Sequence, residues 1–460
     1  MTTITQNDNT KTKNWPKPLS EPCFRGLAGR IVRKIEPHTE SDSAALLFQF
    51  LTLFGNAIGR SSYFPIEADR HYLNLFTVLV GPSSKGRKGT SFRHIYNLFK
   101  SVDPDWYNGK LNSGLSSGEG LIWHVRDRVE SNGQIADEGV SDKRFCAYES
   151  EFASVLRVLG RDGNTLSAVI RDAWDRGTLS TITKNNPAKA TGAHVSIVAH
   201  ITKAELNKYL SHTEALNGFG NRFIWVCSRR SKLLPLGSNS EILDLSQEIK
   251  DLEECVSFSK AQSKLSLDSS AIPGWKEIYG ELSIEKPGLL GTITARAEPQ
   301  ILRIASLYAL LDLSSVVKMD HLFSAYMAWK YSEDSCVHIF GNSTGNAIAD
   351  RIMDALEMTP SGLTQTQIIE DLFGKHKSAF DIKTAQDLLV NQRLVHSRTE
   401  VLGSGRPVKV WYFGPAVKAN SEFGEVNSQN SHLATDQSAP RESWQWNNGF
   451  SSFEGDSNGQ

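Results

Sequence analysis

A chain of 460 residues with 39% hydrophobic and 22% charged residues is long enough for two or three compact units and has the composition of a soluble globular protein. Lysine and arginine number 50 against 51 aspartates and glutamates, a net charge of −1. This excludes a global basic field, so any nucleic-acid binding must use local patches. No run approaches the ~18 apolar residues of a membrane span, and the first 20 residues carry no apolar leader core, so neither a membrane segment nor a secretory signal is expected. Cys23, Cys146, Cys227, Cys255 and Cys336 form no Cys-x-x-Cys pair and no His/Cys cluster. That argues against structural zinc and for a reducing compartment, with the cytoplasm as the expected location.

Taken in chain order, residues 1–40 are polar and proline-containing, expected as a flexible arm ending in a short helix. "SAALLFQFLTLFGNAI" (43–58) reads as a buried helix. "LNLFTVLV" (73–80) is short, apolar and rich in β-branched and aromatic residues, the character of a central parallel strand. "RFCAYE" (144–149), "HVSIVAHIT" (194–202) and "NRFIWVCS" (221–228) read the same way. Helical patterns at 91–100, 118–130, 150–159 and 165–174 alternate with these strands, which predicts a three-layer α/β fold over residues 41–240. Residues 240–270 read as a polar connection. The helical spacing in 295–313 and 319–340 then predicts a helical lid over residues 241–345. Residues 346–414 read as three short helices and two strands around a Gly-Ser-Gly turn, the outline of a winged helix. Residues 415–460, rich in Ser, Asn, Gln and Gly, are expected to be disordered.

The segment that carries chemistry is "GPSSKGRKGTS", 81–91. A phosphate loop lets consecutive backbone N–H groups face a phosphate, supplies a lysine to neutralise it and a hydroxyl for Mg²⁺. Its usual spelling is G-x-x-x-x-G-K-[ST]. Here Gly81 to Lys88 is one residue too long, Arg87 stands where the last glycine belongs, and Gly89 separates Lys88 from Thr90 and Ser91. Strand, loop and helix nevertheless surround the motif as the mechanism needs. Gly81, Ser84, Gly86 and Gly89 are candidate cradle residues, and Lys85 rivals Lys88 for the phosphate lysine. Such a loop needs an acid at the end of a neighbouring strand. "RFCAYESEF" supplies Glu149 and Glu151, spaced so that both could face one side.

"SSGEGLI" (116–122), "ESEF" (149–152), "GNTLSAVIR" (163–171) and "NGFGNRF" (217–223) follow the loop in this order, with "TARAEPQILRIASLYALL" (294–311) beyond them. Over about residues 40–345 the chain resembles an uncharacterised bacterial family of P-loop ATPases of mobile elements. More distantly it is similar to the AAA+ core of minichromosome-maintenance helicases, in which the last glycine of the phosphate loop is also replaced. The resemblance implies ATP and Mg²⁺ as cofactors. Lys88 would hold the β- and γ-phosphates and Thr90 or Ser91 the metal, with Glu149 as the metal-side acid and Glu151 as the base. Thr202, or His200 before it, would be the sensor at the strand end. Arg222 would be an arginine finger directed at a neighbouring subunit, and Arg296 a second sensor. The segment 175–202 would be a hairpin presenting Lys184 and Lys189 to DNA. Two departures are plain: the acidic motif reads Glu-Ser-Glu, and the sensor asparagine is absent. Read without the resemblance, Arg222 is equally a salt-bridge partner at a strand edge, and His200 a satisfied core histidine.

The C-terminal unit offers Lys383 and Gln386 on its third helix and Arg398, Arg406 and Lys409 on its hairpin to DNA phosphates. The tail "RESWQWNNGFSSFEGD" interleaves aromatics with acids and could dock a primase or other replication partner. Together these readings predict an ATP-dependent DNA helicase or translocase of a mobile element. It would act as a ring-shaped homo-oligomer, with a hexamer as one candidate ring. A P-loop ATPase switch in transposition or antiphage defence and a nucleotide-silent DNA-binding scaffold are the alternatives.

Overall fold

The computed structural model describes residues 15–181, 188–237, 243–286, 288–341, 344, 346–401 and 406–414. The expected tip lysine Lys184 and the tail after residue 414 lie outside the described residues.

A mixed α/β unit is built on five parallel strands, compatible with the expected three-layer fold. They are β1 (Phe76–Val80), β2 (Leu111–Asn112), β3 (Arg144–Glu149), β4 (His194–Ile201) and β5 (Phe223–Cys227), in the spatial order β5-β1-β4-β3-β2. β1, β4 and β5 are buried along their whole length, which is why apolar residues predominate on both of their faces, with Thr77, His194, Ser196 and His200 as the buried polar exceptions. Side chains nevertheless divide by the two-residue period of a strand. Leu79, Cys146, Val198 and Ile224 face one hydrophobic core, and Val78, Ala147, Ile197 and Trp225 face a second.

The first core is closed by α1 (Gly26–Ile35), α2 (Ser43–Ala57) and α3 (Lys88–Val102). The second core is closed by α4 (Phe152–Leu159), α5 (Leu166–Asp175) and α6 (Lys203–Tyr209). α7 (Ser246–Ala261) and α8 (Ala297–Leu311) complete the first core. The long α9 (Met319–Phe340) serves both, through Leu322 to Tyr331 at one end and Cys336 to Phe340 at the other.

Several expectations change here. Residues 20–38 are not a loose arm: α1 buries Leu27, Ala28, Ile31 and Val32 in the first core, and Lys34 reaches the buried Glu248 of α7 at 2.8 Å. The polar connection at 240–270 contains α7, whose Leu252, Cys255 and Val256 face the core, with Glu248 as its one buried charge. The segments read as a lid pack directly on the sheet's first core, with Ile301, Leu307 and Trp329 fully or almost fully buried. The helix expected over 118–130 stops at Trp123, and a hairpin of Val129–Ser131 with Gln134–Asp137 follows. The edge strand β2 is too short to have a periodicity.

Residues 347–414 enclose a separate core. α10 (Ala347–Glu357) and α11 (Ala379–Asn391) pack on β6 (Val395–Glu400) and β7 (Val408–Phe413), and Leu363–Thr364 pairs with β7. Gln365 Oε1 accepts from Trp411 Nε1 at 2.9 Å and from Gln386 Nε2 at 3.0 Å. Gln386 is thereby buried and does not face a groove, whereas Lys383, Arg398, Arg406 and Lys409 are exposed.

Because Leu252 is fully buried, Leu252→Ala should lower the unfolding free energy by roughly 2–5 kcal/mol. Urea titration checks this; a change below about 0.5 kcal/mol would return α7 to the status of a surface connection.

Candidate functional site

In a parallel sheet the strand ends that feed crossovers lie on one edge, and ligands gather there. In this protein β1, β3 and β4 end around a cavity of ≈ 560 Å³. Pro82–Ser84 and Arg87–Thr90 line it from the loop after β1. Tyr148, Ser150 and Glu151 line it from the end of β3, and His200, Thr202 and Glu205 from the end of β4.

The loop is held close to the sheet. Its backbone at Gly81 passes the Ser228 carbonyl so closely that a Cβ there would overlap it, which requires glycine. Ser84 and Arg87 adopt left-handed backbone conformations, both with φ of 52°. Arg87 therefore takes the backbone role that a glycine usually fills just before the lysine, at a cost of about 1–2 kcal/mol.

Lys88 is the first residue of α3. Its ammonium donates to the carbonyls of Gly81 at 2.7 Å and Pro82 at 2.9 Å. Burial pushes its pKa down to about 8, with the Glu205 carboxylate acting in the opposite direction. Lys85 is exposed and lies away from the cavity lining, so of the two rival lysines only Lys88 meets the site. Thr90 and Ser91 also separate. Thr90 lines the cavity, while the Ser91 hydroxyl is buried, donating to the Lys88 carbonyl at 2.7 Å and accepting from Gln49 Nε2 at 3.1 Å.

The two glutamates part company for a similar reason. Tyr148 faces the first core and stacks on Phe92 of α3 with ring centroids 3.8 Å apart, so Glu149 must point to the opposite face. There its Oε1 accepts from the backbone N–H groups of Gly114 and Leu115, both at 2.8 Å. Burial raises its pKa and those two bonds oppose the rise. The strand ends at Glu149, so the two-residue alternation does not continue to Glu151, which precedes α4 and lines the cavity. The carboxylates do not share a side.

At the end of β4, Thr202 caps α6 in a reciprocal box. Its hydroxyl donates to Glu205 Oε2 at 2.8 Å and accepts from the Glu205 N–H at 3.2 Å. The signature Thr-x-x-Glu was present in the sequence, yet Glu205 was not read as a site residue. Arg93, on the next turn of α3, was missed as well; exposed residues on a helix give no periodic signal. His200 is buried beside Tyr148, its Nε2 3.4 Å from Gln49 Nε2. Burial first, and the Lys88 charge second, hold its pKa at about 3, so it is neutral at physiological pH and a weak proton carrier.

Arg222 and Arg296 lie at the other edge of the sheet. Arg222 immediately precedes β5 and places Nη2 2.5 Å from Asp175 Oδ2, while Arg296 Nη1 sits 3.2 Å from Asp175 Oδ1. Arg303, wholly buried against the Trp174 ring at 3.6 Å, fixes the Trp174 carbonyl at 2.9 Å and the Asn74 carbonyl at 2.8 Å. A strand of this length separates the two edges by roughly 15 Å. Neither Arg222 nor Arg296 lines the cavity around Lys88. Lys189 is exposed on a short strand whose carbonyl accepts from the Asp127 N–H at 2.9 Å.

As a chemical object, the cavity offers the cations of Arg87, Lys88 and Arg93, the N-terminal amides of α3, and the carboxylates of Glu151 and Glu205. This set suits an anion with several phosphates. Among the described residues no group of three or more His, Cys, Asp or Glu side chains could hold a metal ion by itself. No described helix is long and apolar enough to cross a membrane. No family model matches the chain, and no curated protein matches it.

His200 favours its neutral form on folding, so stability is full above its ordinary value of 6.5 and is lost as pH falls toward about 3. His194, buried and likewise held at about 3, adds to the same slope. Urea midpoints measured across this window should fall less steeply for His200→Gln than for the parent chain; an identical slope would mean that His200 is protonated in the folded state.

Proposed function

We propose that this protein is an ATP hydrolase of the P-loop type, acting on DNA as an oligomer, in the manner of the mobile-element ATPases and minichromosome-maintenance helicases it resembles. The observation that carries the reading is Lys88. A lysine at the first position of a 15-residue helix, joined to a buried central strand by the loop 81–87, keeps its ammonium on the loop's own carbonyls at the carboxyl edge of the sheet. A β-phosphate in the cradle would replace those carbonyls as the partner of the charge.

Thr90 and Glu151 are the groups that would hold Mg²⁺ beside phosphate oxygens, consistent with the preference of this ion for few protein ligands and retained waters. Bound there, it would neutralise charge on the phosphates. Glu151 and Glu205 are both within the cavity wall and available to orient a water, while Glu149 holds the 114–115 backbone and acts on the site only through it. The capped hydroxyl of Thr202 would sense the terminal phosphate by exchanging its Glu205 partner. Arg222 and Arg296 face away from their own chain's cavity. A role for them in hydrolysis is directed at another subunit and requires Asp175 to release them. Lys189, Lys383, Arg406 and Lys409 supply exposed positive charge for DNA phosphates.

One observation favours the alternative of a slow switch over a motor: Glu149 and Arg222, the residues assigned to fast turnover, are both committed to internal partners. Strand displacement on a forked duplex with ATP separates the two; ATP hydrolysis without displacement supports the switch.

Lys88→Ala should abolish MgATP binding and hydrolysis. In the parent chain, binding should weaken as pH rises through about 8, where the free lysine loses its proton. Calorimetry with MgATP measures both. Undiminished binding by Lys88→Ala would remove the nucleotide reading.

A further inference from the structure

Arg87 has a role that the phosphate-loop pattern does not supply. Arg87 lines the same cavity as Lys88, and its Nε donates to Glu40 Oε2 at 2.5 Å. The Arg87 side chain is 40% exposed and that of Glu40 only 11%, so the arginine can leave while the glutamate stays in place. Glu40 is anchored independently: its Oε1 accepts from the Leu234 N–H at 2.8 Å. That bond, followed by Arg87 and Arg230, keeps its carboxyl below the usual carboxylate range.

A replacement cation is already present. Arg230 Nε stands 3.5 Å from Glu40 Oε2, and it is buried without a hydrogen-bond partner of its own. When Arg87 departs, Arg230 can close on Glu40, so neither a buried carboxylate nor a buried donor is left unmatched. The exchange trades the 2.5 Å contact of Arg87 for an arginine now at 3.5 Å, so Glu40 is not left bare but still competes for Arg87.

We propose that Arg87 is a phosphate-binding residue held in reserve by Glu40, and that a nucleotide triphosphate in the cavity draws it off Glu40, leaving Glu40 to Arg230. The inference rests on the nucleotide reading of the same cavity. An arginine side chain offers a phosphate two parallel N–H donors in addition to the backbone N–H that a glycine would also supply, which gives a physical reason for the residue that occupies this left-handed position. The exchange also reaches beyond the cavity. Glu40 is joined to the segment after β5 by Ser231 N–H on its carbonyl at 3.0 Å, and its neighbour Asp42 accepts from the Arg229 N–H at 3.1 Å. The arginine that takes over Glu40 therefore comes from a segment already bonded to the chain around it.

The test is a double-mutant cycle read by calorimetry with MgATP on the full chain. Glu40→Gln keeps an acceptor for Leu234 and removes the charge that competes for Arg87. Arg87→Gly removes the guanidinium and relaxes the backbone, so it is expected to fold. Glu40→Gln should bind roughly tenfold tighter, and Arg87→Gly roughly tenfold weaker. The double variant should match Arg87→Gly, because Glu40 acts only through Arg87. Unchanged affinity in Glu40→Gln, or a double variant that regains affinity, overturns the proposal while leaving nucleotide binding intact. Absence of binding in the parent chain overturns both.

Discussion

The parallel pairing of β1 with both β4 and β5 is the constraint on which the molecule depends. Parallel neighbours cannot be joined by tight turns, so each connection must cross the sheet, and helices cover both of its faces. All strand ends that lead into helices are thereby brought to one edge. The loop after β1, the turn after β3 and the cap after β4 meet there because the sheet order β5-β1-β4-β3-β2 sets β4 between β1 and β3. The opposite edge collects the residues that lead into strands, among them Asn74 and Arg222. The cavity around Lys88 and the cluster around Asp175 are two consequences of one topology.

The two edges handle positive charge differently. At the carboxyl edge, Lys88 rests on carbonyl oxygens, groups that neutralise no charge, and Arg87 and Arg93 accompany it in a cavity open to solvent. At the amino edge, Arg222 and Arg296 share the single carboxylate of Asp175, and the buried Arg303 donates to two carbonyls and lies over an aromatic face. The first arrangement leaves an ammonium with uncharged partners that an anion can outbid. In the second, Arg222 and Arg296 already have a carboxylate, and they act elsewhere only if Asp175 lets them go.

Much of this was legible from residue order. β3 was readable to its exact ends, and β1, β4 and β5 to within a few residues, because strands buried on both faces are predominantly apolar over a short run. The alternative reading of Arg222 as a salt-bridge partner matches its contact with Asp175, and the reading of His200 as a core histidine matches its burial. What misled was polarity averaged over a segment. α7 carries its core contacts on three residues among charges, and α1 lies in a stretch whose mean composition is that of a tail. The Glu-Ser-Glu pair misled because a period of two holds only while the strand lasts, and β3 ends at the first glutamate.

The sequence by itself determined the order of strands and helices, the position of a glycine-rich loop between a buried strand and a helix, and the separate character of residues 347–414. These follow from side-chain hydrophobicity and backbone preference, which are local properties. Only the tertiary structure decided that Lys88 rather than Lys85 meets the cavity, that Thr90 and Ser91 face different ways, and that Glu205 and Arg93 join the site. It also decided that Glu40, 47 residues away, holds Arg87. Charges separated by dozens of residues interact through space, and their distances are set by the sheet's pairing order, which no window along the chain contains.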